Sequence, residues 1–512
     1  MIRKFTFTAI AALLCGALIS SAFASNGTQI GIVGARYLSM GRCFRGLAND
    51  WSAMFYNPAG LTQLGSKFTI GGSMGLIMPR ASFQAYAYPV APFPGMITTE
   101  QDAVAKNFFV PSFGVFFMPS ESFTVGLGVY APFGLGTEWD LINLPASYGN
   151  ATGFSRANEH YSDHQVIAIQ PTAAFKLSDK ISVGVGASYI WGKMDIIMGK
   201  LAFNPMAQEV APGITMWNAL QAGILGAGFT PPGNMTADQA RIPVELNLKG
   251  TGSAYGFNFG LLFELSKKLS VGLSGQYYTD LKLSGDLAQT LIMAGDAQKI
   301  AAFQNIPDAV FADNDDPTGT QNKDELMAMF SGQNFAEETT AKADLPLPMT
   351  IGGGIAYKAS PKLTLTADVS WTNWAAWDNI LIKPEGDDDI TMKEDWSSTI
   401  EAGAGMEFLA VDNEASQFFV RAGFYTTASP SPNTTISPTI LDPNRRYVIA
   451  GGIGLNLGKV AFNLAGEYVL FGKKDVPAAE YEFDDMGISD NYAGIYKANA
   501  LVFTFGTTIA IN

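Results

Sequence analysis

Charge is scarce in this chain: 15% of 512 residues are Asp, Glu, Lys or Arg, against roughly a quarter in an average soluble domain. That scarcity argues against an ordinary cytosolic enzyme. Positive charge is scarcer still, with 32 Lys and Arg against 46 Asp and Glu, so the formal charge of −14 has the wrong sign for a nucleic-acid partner. No run of 18 or more apolar residues follows residue 24, so the mature sequence offers no membrane-spanning helix. Disorder is excluded as well, because 47% of the residues are apolar and 12% aromatic.

What is present begins with an export signal over residues 1–24. Arg3 and Lys4 form its basic end, Ala9 to Ile19 an apolar stretch too short to span a bilayer, and Ala22-Phe23-Ala24 a small-x-small cleavage site. Cleavage before Ser25 removes two positive charges and makes the net charge more negative. It also removes Cys15, leaving Cys43 as the single mature cysteine, so no intrachain disulfide forms in the oxidising compartment beyond.

After the signal, period-two alternation dominates. Ile181, Val183, Val185, Ala187, Tyr189 and Trp191 alternate with Ser182, Gly184, Gly186, Ser188 and Ile190. Leu501, Phe503, Phe505, Ile509 and Ile511 likewise face away from Val502, Thr504, Gly506 and Ala510. A secreted sandwich would show Lys and Glu on its exposed face. Here the second face is Gly, Ser, Thr and Ala, which suits a lumen, while the greasy face meets lipid. The expectation is an all-β protein: a transmembrane antiparallel β-barrel in a bacterial outer membrane.

About fourteen strands are expected, near 66–78, 108–118, 123–133, 161–177, 181–196, 244–264, 269–283, 346–358, 362–381, 396–410, 417–427, 446–457, 460–472 and 498–511. Turns of a few residues, such as 119–122, 178–180, 266–268 and 360–362, join one end of the strands. The other end opens into long loops at 80–107, 134–160, 199–241, 284–342, 383–393, 429–444 and 474–496. Short turns belong to the periplasmic side and long loops to the extracellular side.

A lumen of that width leaks unless something fills it. Residues 25–65 lack alternation yet carry Trp51, Met54, Phe55 and Tyr56, costly to leave in water. They are expected to form a hatch inside the barrel of residues 66–512. The alternative is a floppy tail.

The run Leu47-Ala48-Asn49-Asp50 followed by Phe55-Tyr56-Asn57-Pro58-Ala59-Gly60-Leu61 strongly resembles the N-terminal hatch of the FadL family of outer-membrane transporters for long-chain fatty acids and other hydrophobic compounds. Four further stretches look like the same family: Gly126 to Leu135, Gln170 to Ala174, Leu345 to Pro348 and Trp371 to Trp374. The resemblance implies a 14-stranded barrel closed by a hatch, with Asp50, Phe55, Asn57, Pro58 and Ala59 as its signature. It also implies capture among extracellular loops, transfer to a site beside the hatch, and lateral exit where the third strand is kinked. That kink maps onto Tyr130, Ala131, Pro132, Phe133 and Gly134. Pro132 cannot donate to a ladder and Gly134 weakens one, which agrees; the alternative is that Pro132 merely ends the strand.

Two long loops carry apolar residues at helical spacing: Met216, Trp217, Leu220 and Ile224, then Leu291, Ile292, Ile300 and Phe303 within 287–311. They are expected to form the capture groove, unless they bury their faces against each other. Delivery of such cargo into a bilayer is downhill by about 0.8 kcal/mol per methylene.

Other features are read more plainly. His160 and His164, four residues apart on a strand, lie about 13 Å from each other, too far for a metal pair. The acids at 313–316 and Asp387-Asp388-Asp389 lack the spacing of a calcium loop and read as solvated groups or divalent bridges to lipopolysaccharide. Trp371, Trp374 and Trp377 read as girdle aromatics. Asp368, Glu401, Glu407, Arg421 and Glu467 fall on the lumen face, with Glu401 and Arg421 placed to pair. No catalytic constellation, metal or cofactor is expected. The partners are a hydrophobic small molecule, fatty acid or aromatic hydrocarbon, and outer-membrane lipid with lipopolysaccharide; the barrel reads as a monomer. The rivals are a general porin and a surface adhesin.

Overall fold

A computed structural model describes residues 27–87, 96–144, 146–148, 160–236, 239–386, 389–413, 415–477 and 492–511. The export signal at 1–24 and Asp387-Asp388 lie outside the described residues.

Fourteen antiparallel strands close into a barrel. In chain order they are β1 (Phe68–Ala85), β2 (Phe108–Ser120), β3 (Phe123–Tyr130, continued by Gly134–Trp139), β4 (His160–Ser178), β5 (Ile181–Phe203), β6 (Arg241–Glu264) and β7 (Leu269–Tyr278 with Leu281–Ile292). Then follow β8 (Asn334–Leu345 with Thr350–Ser360), β9 (Leu363–Thr372 with Asn379–Pro384), β10 (Ile390–Lys393 with Thr399–Asp412), β11 (Gln417–Thr427), β12 (Arg446–Leu457), β13 (Val460–Phe471 with Lys474–Val476) and β14 (Gly494–Ile511). Each pairs with the next, and β14 returns to β1 in an unbroken register from Phe68↔Ile511 to Ala85↔Gly494. Closure within one chain leaves no edge for aggregation.

The alternation read from the sequence is the side-chain geometry of the wall. Val185, Tyr189, Trp191, Phe503 and Phe505 point outward and are exposed, while Ser182, Ser188, Val502 and Thr504 point inward and are buried. The exposed aliphatic and aromatic side chains encircle the barrel, far more than a soluble monomer shows in one patch, as a lipid-facing belt requires.

Several strands reach into segments expected as loops, among them β1 to Ala85, the Gly134–Trp139 part of β3 and the Asn334–Leu345 part of β8. The β5–β6 hairpin is taller than read: the register runs up to Phe203↔Arg241, into what looked like loop. The helix expected over 287–311 begins only at Ala297. Leu291 and Ile292 belong to β7, because β8 pairs along it as far as Leu291↔Phe335 and Ile292↔Asn334, and ladder hydrogen bonds override a helix-like spacing.

Candidate functional site

Residues 27–66 lie inside the barrel and are almost wholly buried. They hold two short helices, α1 (Ala35–Ser39) and α2 (Ala53–Tyr56), and a 3-10 turn at Pro58–Gln63. Tyr37 stacks on Tyr56 at 3.4 Å between ring centroids, with Phe44 and Phe55 edge-on to Tyr56, so the segment has its own aromatic core. The Tyr56 hydroxyl accepts from the Val33 amide and ties the loop at 31–33 to α2.

The Asn57-Pro58-Ala59 turn is seated against wall glycines. A Cβ at Gly272 would lie 1.8 Å from the Arg45 carbonyl oxygen, one at Gly260 2.1 Å from Asn57 Oδ1, and one at Gly184 2.3 Å from the Pro58 carbonyl carbon. Small lumen residues are therefore what admits the segment. Asn57 Nδ2 donates to the Arg45 carbonyl at 2.8 Å and to the Leu261 carbonyl of β6 at 3.0 Å. Wall amides complete the seat: Gln170 and Asn258 donate to the Met54 carbonyl, Gln276 to the Phe55 carbonyl. Asp50 caps its own turn, accepting from the Ser52 amide and hydroxyl.

Three arginines of this segment reach three wall carboxylates. Arg36 makes a two-pronged contact with Glu407, both bonds at 2.8 Å. Arg45 lies 3.3 Å from Asp368, which also accepts the amides of Phe44 and Arg45. Arg42 is 3.6 Å from Glu467 and sits over the Tyr425 ring. Buried charges in such numbers persist only when paired. The expected Glu401–Arg421 pair is corrected: Arg421 stands directly across from Glu407 and donates to it at 2.6 Å, whereas Glu401 stands across from Thr427. Sequence reasoning placed the wall acids on the lumen face without finding their partners. The signal was the cluster Arg36, Arg42 and Arg45 in a segment whose only acid is Asp50.

The third strand is interrupted between Tyr130 and Gly134. β2 and β3 pair only as far as Phe113↔Val129, so the second half of β3 pairs with β4 alone. Tyr130↔Ala168 and Gly134↔Gln165 bracket one extra residue on β3; Ala131 and Pro132 leave the ladder, while the Phe133 carbonyl still accepts the Val166 amide of β4 at 3.2 Å. The edge that β3 turns away from β4 here is taken by the inner segment: the Ile30 amide donates to the Pro132 carbonyl at 3.0 Å and the Gly134 amide to the Thr28 carbonyl at 2.8 Å. Phe55 meets Tyr130 edge-on at 4.9 Å, and Tyr130 bonds Gln170. The predicted hatch and kink residues are thus in one contact network.

Above them lies an indole cluster. Trp374 and Trp377 are corrected from girdle residues to lumen residues: both are buried with Trp396, at ring separations of 4.5 to 5.6 Å. The chain turns inward at a 3-10 bend, Trp374–Ala376, which breaks the strand phase on which the outward reading rested. Trp371, still in phase, is exposed. Trp374 packs against Gly27, where a Cβ would sit 2.5 Å from the ring. Beside the segment, Tyr37, Tyr56, Arg42, Arg45, Gln276 and Glu401 line a narrow cavity of about 30 Å³.

The loop helices are α3 (Met216–Gly226), α4 (Ala297–Gln304) and α5 (Thr320–Ala328). Thr215 and Asn218 form a reciprocal cap on α3, and Asp296 caps α4. Trp217, Ile224 and Phe303 are brought together with Phe311 and Phe330 in a small core, while Leu220 and Ile300 are half-buried and Met216 is exposed. Leu291 packs instead beside Ile242 and Val244, and Ile292 in a separate cluster with Trp139 and Tyr148. His160 bonds the Tyr492 hydroxyl at 2.7 Å.

The family described as outer membrane protein transport protein (OMPP1/FadL/TodX) matches residues 16–510. A long-chain fatty acid transport protein of Escherichia coli O6:H1 is 22% identical over 508 residues, covering 95% of this chain and 97% of its own. An outer membrane protein of Neisseria meningitidis is 24% identical over 463 residues, covering 86% of each. Among solved structures, a Pseudomonas aeruginosa FadL homologue superposes with a TM-score of 0.69 at 16% identity, covering 95% of this chain and all of that one. The Pseudomonas putida toluene transporter TodX gives 0.62 at 13% identity, with 94% and 98% covered. With a family match across nearly the whole chain, a closed barrel and a filled lumen, this chain belongs to the OMPP1/FadL/TodX family of outer-membrane transporters for hydrophobic substrates.

Proposed function

We propose that the protein takes up long-chain fatty acids passively, and that residues 25–65 act as the hatch. Cargo is captured at the extracellular helices by Met216, Leu220 and Ile300, which stand exposed or half-buried around the closed core of Trp217, Ile224 and Phe303, with Leu291 and Ile292 on the β7 rim below. It passes to the lumen beside the hatch and leaves through the wall between β2 and β3. The observation that carries this reading is the kink. Ala131 and Pro132 have left the ladder, and the edge that β3 turns away from β4 here is bonded by Thr28 and Ile30 of the hatch instead of by β2. Withdrawal of those few residues opens a wall gap without unpairing any other strand. Discharge into lipid suits the cargo, since each methylene favours bilayer over water by about 0.8 kcal/mol. Closure of the barrel by β14 on β1 lets one chain work alone.

A second reading, uptake of monoaromatic hydrocarbons by the same route, is favoured by the buried Trp374–Trp377–Trp396 cluster, whose ring faces suit a flat aromatic cargo. The deciding experiment is uptake of radiolabelled oleate and toluene by outer-membrane vesicles carrying the native protein or one lacking residues 25–65. Saturable oleate uptake that changes on hatch removal supports the proposal. Saturable uptake of toluene alone supports the second reading. Free passage of polar solutes through the native protein would overturn both and leave a porin.

A further inference from the structure

The chain is acidic as a whole, yet the short-turn end of the barrel, which faces the periplasm, carries a positive arc. Three consecutive turns join β4 to β5, β6 to β7 and β8 to β9. They and the strand ends beside them hold Lys176, Lys180, Lys267, Lys268, Lys358 and Lys362, all exposed, against Asp179 and Glu264. The other three turns hold Glu121 and Asp412 against Lys459 among the described residues, and Lys67 precedes β1. The excess of positive charge therefore lies on one side of the rim.

Backbone bonds bring these lysines together. The Glu264 amide donates to the Lys180 carbonyl at 2.9 Å and the Lys358 amide to the Lys268 carbonyl at 2.8 Å. Lys268 and Lys358 thus stand across from each other, one step beyond Leu269↔Tyr357. Like charges so placed repel. Lys176 has Asp179 at 3.0 Å, and the other five lysines make no ion pair among the described residues. An anion from outside the chain relieves that repulsion.

The neighbours of the lysines identify the anion. Leu177 is 65% exposed and Leu265 57%, each beside its turn, and Phe175, Ile181 and Tyr357 carry the outward apolar belt down to the same level. Leucines so exposed are costly in water and stable among acyl chains. The turns therefore sit at the boundary of the inner leaflet, where lysine stems lie along the acyl chains and the ammonium groups reach the phosphate plane. A soluble acidic partner would meet the lysines and leave the leucines wet.

We propose that the arc from β4 to β9 binds the headgroups of anionic phospholipids in the inner leaflet and gathers those lipids on one side of the barrel. Neither the hatch nor the cargo enters this assignment.

The test uses the mature protein in phosphatidylcholine vesicles with a trace of spin-labelled phosphatidylglycerol or spin-labelled phosphatidylcholine of equal chain length. Electron spin resonance reads the share of each label that the barrel slows. The native protein should favour phosphatidylglycerol about threefold, and high salt should erase the preference. Lys180→Gln, Lys267→Gln, Lys268→Gln and Lys362→Gln combined should bring the ratio close to one. The same four positions changed to Arg, and Lys459→Gln on the far side of the rim, should keep the native ratio. Loss with Gln but not with Arg separates charge from misfolding. A native protein without the preference, or a preference that survives the four Gln substitutions, would overturn the proposal. Binding of a polyglutamate peptide with no preference for phosphatidylglycerol would overturn it too and reassign the arc to an acidic protein.

Discussion

Replacing Glu407 by Ala should unseat the hatch without unfolding the barrel. Glu407 accepts two bonds from Arg36 at 2.8 Å and one from Arg421 at 2.6 Å, and all three side chains are largely buried. Its loss leaves Arg421 with Asn463, and leaves Arg36 with Asn49 at 2.7 Å and the distant Asp50 at 3.9 Å. Removing one partner of a buried ion pair costs about 3–5 kcal/mol, and the residual partners place this case at the lower end. About 3 kcal/mol is roughly a hundredfold in an opening equilibrium. The barrel itself keeps its ladders, so the change falls on the hatch. Cys43 reports it: the thiol is 1% exposed, and burial holds it protonated by pushing its pKa well up. Maleimide labelling of Cys43, followed by peptide mass spectrometry in lipid vesicles, should accelerate by one to two orders of magnitude in Glu407→Ala. Glu407→Gln, which keeps the shape and some hydrogen bonding, should fall between. Native labelling rates in Glu407→Ala would refute the claim that these ion pairs hold the hatch.

Gly272→Val should displace the hatch sterically, since even a Cβ at this position meets backbone oxygen at 1.8 Å. The expected result is raised single-channel conductance, whereas Gly223→Ala, with open space around it in α3, should leave conductance native. Trp217→Ala should cost the loop core about 3–5 kcal/mol and expose α3 and α4 to limited proteolysis while the wall stays resistant. Asp296 caps α4 with bonds to the amides of Gln298 and Lys299, both at 3.0 Å. Burial works to raise its pKa, but bonds from Lys299 and Gln239 outweigh this and hold the carboxyl down at about 2. Because the folded value is depressed, its contribution of about 1 kcal/mol is complete above pH ~4 and is lost as pH falls toward 2. Amide exchange over 297–304 should rise in that window in the native protein and show no such step in Asp296→Ala.

Much of the wall was legible because a barrel strand writes its environment at period two. Tyr189 and Trp191 against Ser188 and Gly186 could only be a lipid face and a lumen face. The burial of the N-terminal segment was legible for a different reason: Trp51, Phe55 and Tyr56 needed cover, and the lumen of a wide barrel offers it. What the sequence hid was pairing across distance. Arg36 and Glu407 are separated by 371 positions, and nothing local tells an acid which of three arginines it will meet. Trp374 misled because one 3-10 bend turns a side chain from lipid to lumen. Leu291 and Ile292 misled because apolar residues near a strand's end can fit helical spacing as well as a ladder, and their ladder partners on β8, Phe335 and Asn334, lie more than forty residues away.

The central claim is exit through the wall beside the kink, and photocrosslinking tests it most directly. Oleate carrying a diazirine near its methyl end would be illuminated during uptake, and the adducts mapped by mass spectrometry. Adducts on Tyr130–Gly134 and on Phe108–Ser112, the stretch of β2 that β3 leaves unpaired, are the predicted result. Adducts confined to the periplasmic mouth, around Thr62 to Ser66 and the short turns, would show passage down the lumen and contradict the account.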